Sequence, residues 1–179
     1  MLEKKFTRDV KIPRKVIKPD WDDITANEEE AAQQYHHIES SAQALGFKLT
    51  NSKVLEIGSG KALLLDYAKK NGIDIIGLDV EHRGSKDSPQ VTARIEQLPF
   101  PSETFDIIYS SFIFDPRFYD NDVGYIFNEI HRVLKDGGIY IAREPHLRKE
   151  YENFKLEMEY PPQYVWRKMS KTVFDISKA

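Results

Sequence analysis

The sequence contains no cysteine. That absence excludes disulfides, cysteine-ligated metals and thiol catalysis together, and it fits a reducing compartment. Long apolar runs are missing too. Nothing approaches the roughly 18–20 residues that a membrane span needs, and the opening "MLEKKFTRDVKIPRK" lacks the apolar stretch of a signal peptide. Basic excess is the third absence. Lys and Arg number 26 against 29 Asp and Glu, a formal net charge of −3, which argues against a dedicated nucleic-acid binder. No internal repeat or low-complexity tract is visible. The expectation is a cytoplasmic protein with neither a membrane nor a nucleic acid as partner.

What is present suits one domain. A chain of 179 residues, 40% hydrophobic and 12% aromatic, can bury a real core. Residues 1–20 are mixed in charge and carry Pro13 and Pro19, so they read as an extended arm. Residues 21–179 read as a single domain with an N-terminal helix over 21–46, a core over 53–145 and a short C-terminal part, 146–179. The helix is acid-rich at its start and ends at Gly46, as a helix dipole favours. Ala31, Tyr35, Ile38, Ala42 and Leu45 recur at helical spacing and define a packing face. His36 and His37 fall on the surface of this helix. Either could act as a base only if the helix folded over a bound ligand.

From Val54 the rhythm is strand, helix, strand. "KVLEIG" is a strand, "ALLLDYAKKNG" a helix capped by Asn71-Gly72, and "IDIIGLDV" a strand. "PQVTARI" is a weaker strand and "FDIIYSS" a strong one. "NDVGYIFNEIHRVLKDGG" is a helix, with Asp122 placed to cap it and Gly137 to end it, and "GIYIARE" is the next strand. Strands that are apolar throughout and separated by helices indicate a parallel sheet covered on both faces. The fold class is therefore α/β, a doubly wound, mostly parallel sheet.

Ligands of such sheets bind beyond the carboxyl ends of the strands, where the first strand turns into its helix. "EIGSGKALLL" stands at that place. Gly58 and Gly60 allow a sharp turn and close approach of backbone to ligand. Asp79 ends the adjacent strand, where a carboxylate can accept both hydroxyls of a ribose; otherwise it is a surface acid. The third position of a dinucleotide fingerprint is Leu63 rather than glycine, which disfavours NAD, and no G-K-[ST] follows to make a phosphate loop. Glu56 would repel a pyrophosphate but suits a ligand carrying a cationic amine and a sulfonium. Its alternative is an ion pair with a lysine such as Lys53.

Four segments, "VLEIGSGKA", "GLDV", "ARIEQLPFPSETFDIIYSS" and "NEIHRVLKDGGIYIARE", resemble successive motifs of class I S-adenosylmethionine-dependent methyltransferases. The resemblance runs from Lys53 to Pro145. It implies a Rossmann-like methyltransferase fold, S-adenosylmethionine as cofactor and a small-molecule methyl acceptor. The alternatives are an acceptor on protein or nucleic acid, or a cofactor-binding module that acts within a complex. Carried onto matching positions, the resemblance places Gly58, Ser59 and Gly60 along the methionine part and Glu56 near its amine. It gives Asp79 the ribose hydroxyls and sets Val80 beside the adenine. Ile95 and Glu96 would border the adenine ring, and the Ser110 carbonyl would face the amine. Two positions depart from the pattern. Ala62 stands where glycine is usual, which reads as a mild swap, and Arg94 stands where an adenine-contacting aspartate is usual.

No Ser-His-Asp arrangement or H-x-x-x-H metal spacing is present, so no metal is expected and no catalytic residue is assigned. The loop "FDPRFY" lies at the acceptor edge of such a sheet, so Asp115, Arg117 and Tyr119 are acceptor-side candidates. Tyr35 joins them by the resemblance, since an aromatic from this helix can cover the cofactor, although its place on the apolar face makes packing the plain reading. In the last thirty-four residues, "HLRKEYENFKLEMEY" reads as a helix, Pro161-Pro162 as its stop and "KTVFDISKA" as one strand, with "QYVWRKM" as a second. This predicts a sheet shortened after its fifth strand. Tyr164 and Trp166 would then be exposed at an open edge, to be covered by the 21–46 helix, a homodimer partner or another protein.

Overall fold

The computed structural model describes residues 27–114, 123–144, 147, 151, 153–160 and 163–169. Helix α1 (Glu28–Ala44) is followed by strand β1 (Lys53–Ile57), helix α2 (Leu63–Lys70), and strands β2 (Asp74–Asp79), β3 (Gln90–Thr92) and β4 (Phe105–Ser111). Helix α3 (Gly124–Val133), β5 (Leu134–Arg143), β6 (Phe154–Tyr160) and β7 (Gln163–Lys168) complete the order. The strands form one sheet in the order β3-β2-β1-β4-β5-β7-β6. β1 to β5 are parallel, and β7 runs antiparallel to both neighbours.

Alternation along the central strands divides the core in two. Val54, Ile75, Ile107, Tyr109, Ile139 and Ile141 face α1 and α2. Leu55, Ile57, Leu78, Ile108, Tyr140 and Ala142 face α3. Both faces are covered, which is why these strands are apolar at nearly every position. Asn27 caps α1 by accepting from the Glu30 N–H at 2.9 Å, and Glu28, Glu29 and Glu30 fill its positive end. The helix is tied to the sheet by Gln163, which donates to the Ser41 hydroxyl at 2.7 Å. The arm and the Asp122 cap lie outside the described residues.

The sheet is not shortened: β6 and β7 bring it to seven strands. "FKLEMEY" is a strand, not the end of a helix. Its apolar and polar residues alternate with period two, which outweighs its charged composition. A register shift between Leu156 and Met158 then sends Leu156 to one core and Met158 to the other. Trp166 is fully buried and Tyr164 nearly so, stacked at 5.5 Å, so neither ring is exposed at an open edge. "QYVWRKM" supplies β7 as expected, whereas Pro161-Pro162 and "KTVFDISKA" lie outside the described residues.

A second correction concerns "LKDGG". α3 stops at Val133, and these residues open β5. Gly137 has φ +74° beside a register shift against β4, so it makes a bulge rather than a helix stop. A side chain on Gly138 would stand 2.9 Å from the carbonyls of Asp106 and Lys135. The glycine pair therefore lets β5 close on β4.

Candidate active site

The chain turns back between β1 and β4, so the loops after β1, β2 and β4 meet at one edge of the sheet. The glycine loop is drawn onto β2 by the Gly58 and Ser59 N–H groups, which donate to the Leu78 carbonyl at 2.7 and 3.1 Å. Gly58 has φ +78° and Gly60 φ +48°. Any side chain on Gly58 would collide with Ile113 of the loop after β4, so this glycine serves both turn and close packing. Ala62 is also left-handed, at φ 60° and ψ 22°. Alanine in place of glycine there carries left-handed strain, set against the burial of its methyl group.

Asp79 closes the loop from the β2 side. One carboxylate oxygen accepts from the Gly60 N–H at 2.8 Å and the other from the Glu81 N–H at 3.2 Å. A carboxylate has about four acceptor sites, so two directions stay available for hydroxyls. Val80 beside it is 49% exposed, as an apolar flank for a flat ring would be.

Glu56 is the electrostatic centre. It is 6% exposed, and one of its oxygens is buried with no hydrogen-bond partner. Burial first, and the Asp79 charge second, push its carboxyl up from 4.5 to about 8. It pairs with no lysine among the described residues. Opposite it on β4 stands Tyr109, whose buried hydroxyl also lacks a partner. Burial raises that phenol's ionisation far above its usual range, and the nearby Ser111 and Arg143 offset this only in part. An unpartnered carboxyl oxygen beside a phenol oxygen in a low-dielectric site fits a cationic amine.

The other sequence-derived positions fall in different places. The Ser59 hydroxyl is taken up by Gln90, and Ser110 lies wholly inside. Ile95 belongs to the core on the α3 side. Glu96 is held by Arg94 in a 2.6 Å ion pair, so the departure at Arg94 occupies the acid expected at the adenine. Tyr35 packs against Tyr67 of α2 with ring centroids 5.3 Å apart. His36 lies 3.6 Å from Glu39 on the helix surface. Asp115, Arg117 and Tyr119 lie outside the described residues.

Two residues that sequence reasoning missed hold the loops in place. Gln90 of β3 donates to the Ser59 hydroxyl at 2.7 Å and the Gly60 carbonyl at 2.9 Å. Its carbonyl accepts from the N–H groups of Arg83 and Gly84 at 2.9 and 3.1 Å. It thus ties the glycine loop to the loop after β2, and nothing in the sequence marks it. Glu144 follows β5 and is 1% exposed. It accepts from the N–H groups of Ile113 and Phe114 at 2.9 and 3.2 Å and from the Ser110 hydroxyl at 3.2 Å, and Ser110 also meets the Tyr140 hydroxyl at 2.8 Å. Burial raises its carboxyl to about 7 against the pull of those donors. Its signal was legible: an acid ending an apolar strand, as Asp79 does.

Comparison with known proteins agrees with this fold. Residues 55–142 match the family described as "Methyltransferase domain". Among curated proteins, the mitochondrial arginine-hydroxylase NDUFAF5 of Rattus norvegicus is 30% identical over 96 residues, covering 49% of this chain and 27% of that one. The chain thus spans about a quarter of that relative's length. Among solved structures, a SAM-dependent methyltransferase from Archaeoglobus fulgidus aligns with TM-score 0.54 and 17% identity, over 67% of this chain and 55% of that one. Another, from Aquifex aeolicus, aligns with TM-score 0.52 and 14% identity, over 80% and 97%. No described helix is long and apolar enough to cross a membrane. The family match, the seven-stranded order and the glycine loop agree in assigning residues 55–142 to the methyltransferase-domain family and the sheet to the Rossmann-like methyltransferase fold.

Proposed function

We propose that this chain binds S-adenosylmethionine across the carboxyl ends of β1, β2 and β3, and methylates a small-molecule acceptor lying over β4 and β5. The observation that carries the reading is the buried, unpartnered oxygen of Glu56 at the mouth of the glycine loop. A free buried carboxylate is costly unless a cation completes it.

The cofactor supplies the electrophile, a methyl group on a sulfonium. The protein's own task is alignment and exclusion of water. Glu56 receives the amine, the free directions of Asp79 receive the ribose hydroxyls, and Val80 lies against the base. Gly58 and Gly60 bring backbone close to the methionine part. Gln90 and Glu144 act through the loops they hold. A base is needed only for an acceptor that carries a proton at the reacting atom, and no residue is assigned that role.

Calorimetry with S-adenosylhomocysteine, with NAD as the control, tests the cofactor assignment. A screen of acceptors with labelled cofactor tests the transfer. Binding of NAD but not S-adenosylhomocysteine would overturn the reading. The name of the 30%-identical relative, an arginine-hydroxylase, supports a second reading, hydroxylation of arginine. Mass analysis of an arginine peptide decides between them, since gain of a methyl group supports transfer and gain of an oxygen supports hydroxylation.

A further inference from the structure

Arg143 ends β5 opposite Ser111 at the end of β4. Its carbonyl accepts from the Phe112 N–H at 3.0 Å, and its guanidinium carbon lies 5.0 Å from the centre of the Phe112 ring. Phe112 has φ 54°, a strained conformation for a bulky side chain, and is 44% exposed. The strain is held in place from three directions. The Arg143 carbonyl fixes one amide, and Glu144 fixes the next two, of Ile113 and Phe114. Ile113 in turn packs on Gly58. An exposed aromatic ring under a cation is therefore built into the edge beside the glycine loop.

Among the described residues, no ion pair commits the charge of Arg143. Arg94, Arg132 and Arg167 each pair with a glutamate. Arg143 has no carboxylate within ion-pair distance among the described residues. The groups assigned to the cofactor stand on and after β1 and β2, with Tyr109 of β4 beside Glu56, and the strand order puts the ends of β4 and β5 next to them. A planar guanidinium binds oxyanions through two parallel N–H donors, and an aromatic ring beneath it holds the fork flat.

We infer that Arg143, seated on Phe112, is the acceptor-recognition group, and that the acceptor carries an oxyanion, either carboxylate or phosphate. The inference rests on the methyltransferase reading for the word acceptor, whereas the oxyanion site stands on its own contacts.

The test uses the full chain, labelled with nitrogen-15, with and without saturating S-adenosylhomocysteine. Benzoate, phenyl phosphate and neutral benzamide are titrated while the Arg143 side-chain N–H resonance is followed. Either benzoate or phenyl phosphate should shift it saturably, and which of the two does so names the oxyanion; benzamide should not. Arg143→Gln, which keeps the backbone carbonyl that Phe112 needs, should weaken oxyanion binding by about tenfold or more and leave S-adenosylhomocysteine affinity within about twofold. Equal binding of benzamide, or unchanged oxyanion affinity in Arg143→Gln, overturns the inference. So does a collapse of S-adenosylhomocysteine affinity in that variant, which would put the guanidinium on the cofactor's own carboxylate. Failure of the wild-type chain to bind S-adenosylhomocysteine would count against the cofactor reading alone, since the titrations without it still decide the oxyanion site.

Discussion

The Asp79 carboxylate accepts a hydrogen bond from the Gly60 N–H at 2.8 Å across nineteen residues, so the group proposed to hold the ribose also holds the loop that admits it. Asp79→Ala is then expected to do two things. Loss of two charge-assisted bonds to the ribose, roughly 1.5–3 kcal/mol each, should weaken S-adenosylhomocysteine by more than tenfold. Loss of the bonds to Gly60 and Glu81 should also lower stability, by about 1–3 kcal/mol. Asp79→Asn keeps one acceptor oxygen and should fall between. Calorimetry and urea unfolding separate the effects, and unchanged affinity in Asp79→Ala would remove Asp79 from the pocket.

Glu56 makes binding proton-linked. Between 4.5 and about 8 the folded, ligand-free protein keeps a proton that the unfolded chain has lost. Stability should therefore fall as pH rises through that window. Glu144 acts with the same sign up to about 7. A cationic amine at Glu56 reverses the preference for the protonated form, so S-adenosylhomocysteine should bind more tightly as pH rises and should release protons on binding. Calorimetry in buffers of different protonation enthalpy reads the release directly. Glu56→Gln should abolish it, flatten the stability slope above about 7 and weaken the ligand. Binding without proton release would mean that Glu56 does not meet the amine.

Ala62 and Ala68 are both buried, at 0% and 1% exposure, but Ala62 is left-handed and Ala68 lies within α2. Ala68→Gly should cost about 2 kcal/mol, from lost helix propensity and a lost buried methyl. At Ala62 the relief of left-handed strain, about 1–2 kcal/mol, offsets the lost methyl, so Ala62→Gly should be near neutral. Denaturant unfolding of the pair checks this. Equal losses would show that Ala62 is not strained.

Gln90→Glu keeps the acceptor used by Arg83 and Gly84 but replaces the donor to Ser59 and Gly60 with an oxygen. We expect a stability loss of about 1–3 kcal/mol from the orphaned acceptors, with S-adenosylhomocysteine affinity falling several-fold as the glycine loop loosens. Hydrogen exchange at Gly60 and Lys61 gives the direct reading. If exchange there is unchanged, Gln90 does not restrain the loop.

Local pattern was enough for much of this protein. Apolar strands separated by helices determined a parallel sheet, and two glycines after the first strand determined the tight loop that Asp79 closes. Asp79, ending the next strand, was legible because its neighbours are apolar and it is not. These features depend on residues a few positions apart, where periodicity and turn chemistry act. What tertiary structure alone decided depends on separations the pattern does not encode. Gln90 reaches Gly60 across thirty residues, and Glu144 reaches Ile113 across thirty-one. The period of "FKLEMEY" was written in the sequence, but only pairing with β7 made it a strand rather than a charged helix. The unpartnered oxygen of Glu56 arose because packing on β4 and β2 buried the carboxyl without a donor. A carboxylate's partner and its affinity for protons are set by what the whole fold brings near it, not by the residues on either side.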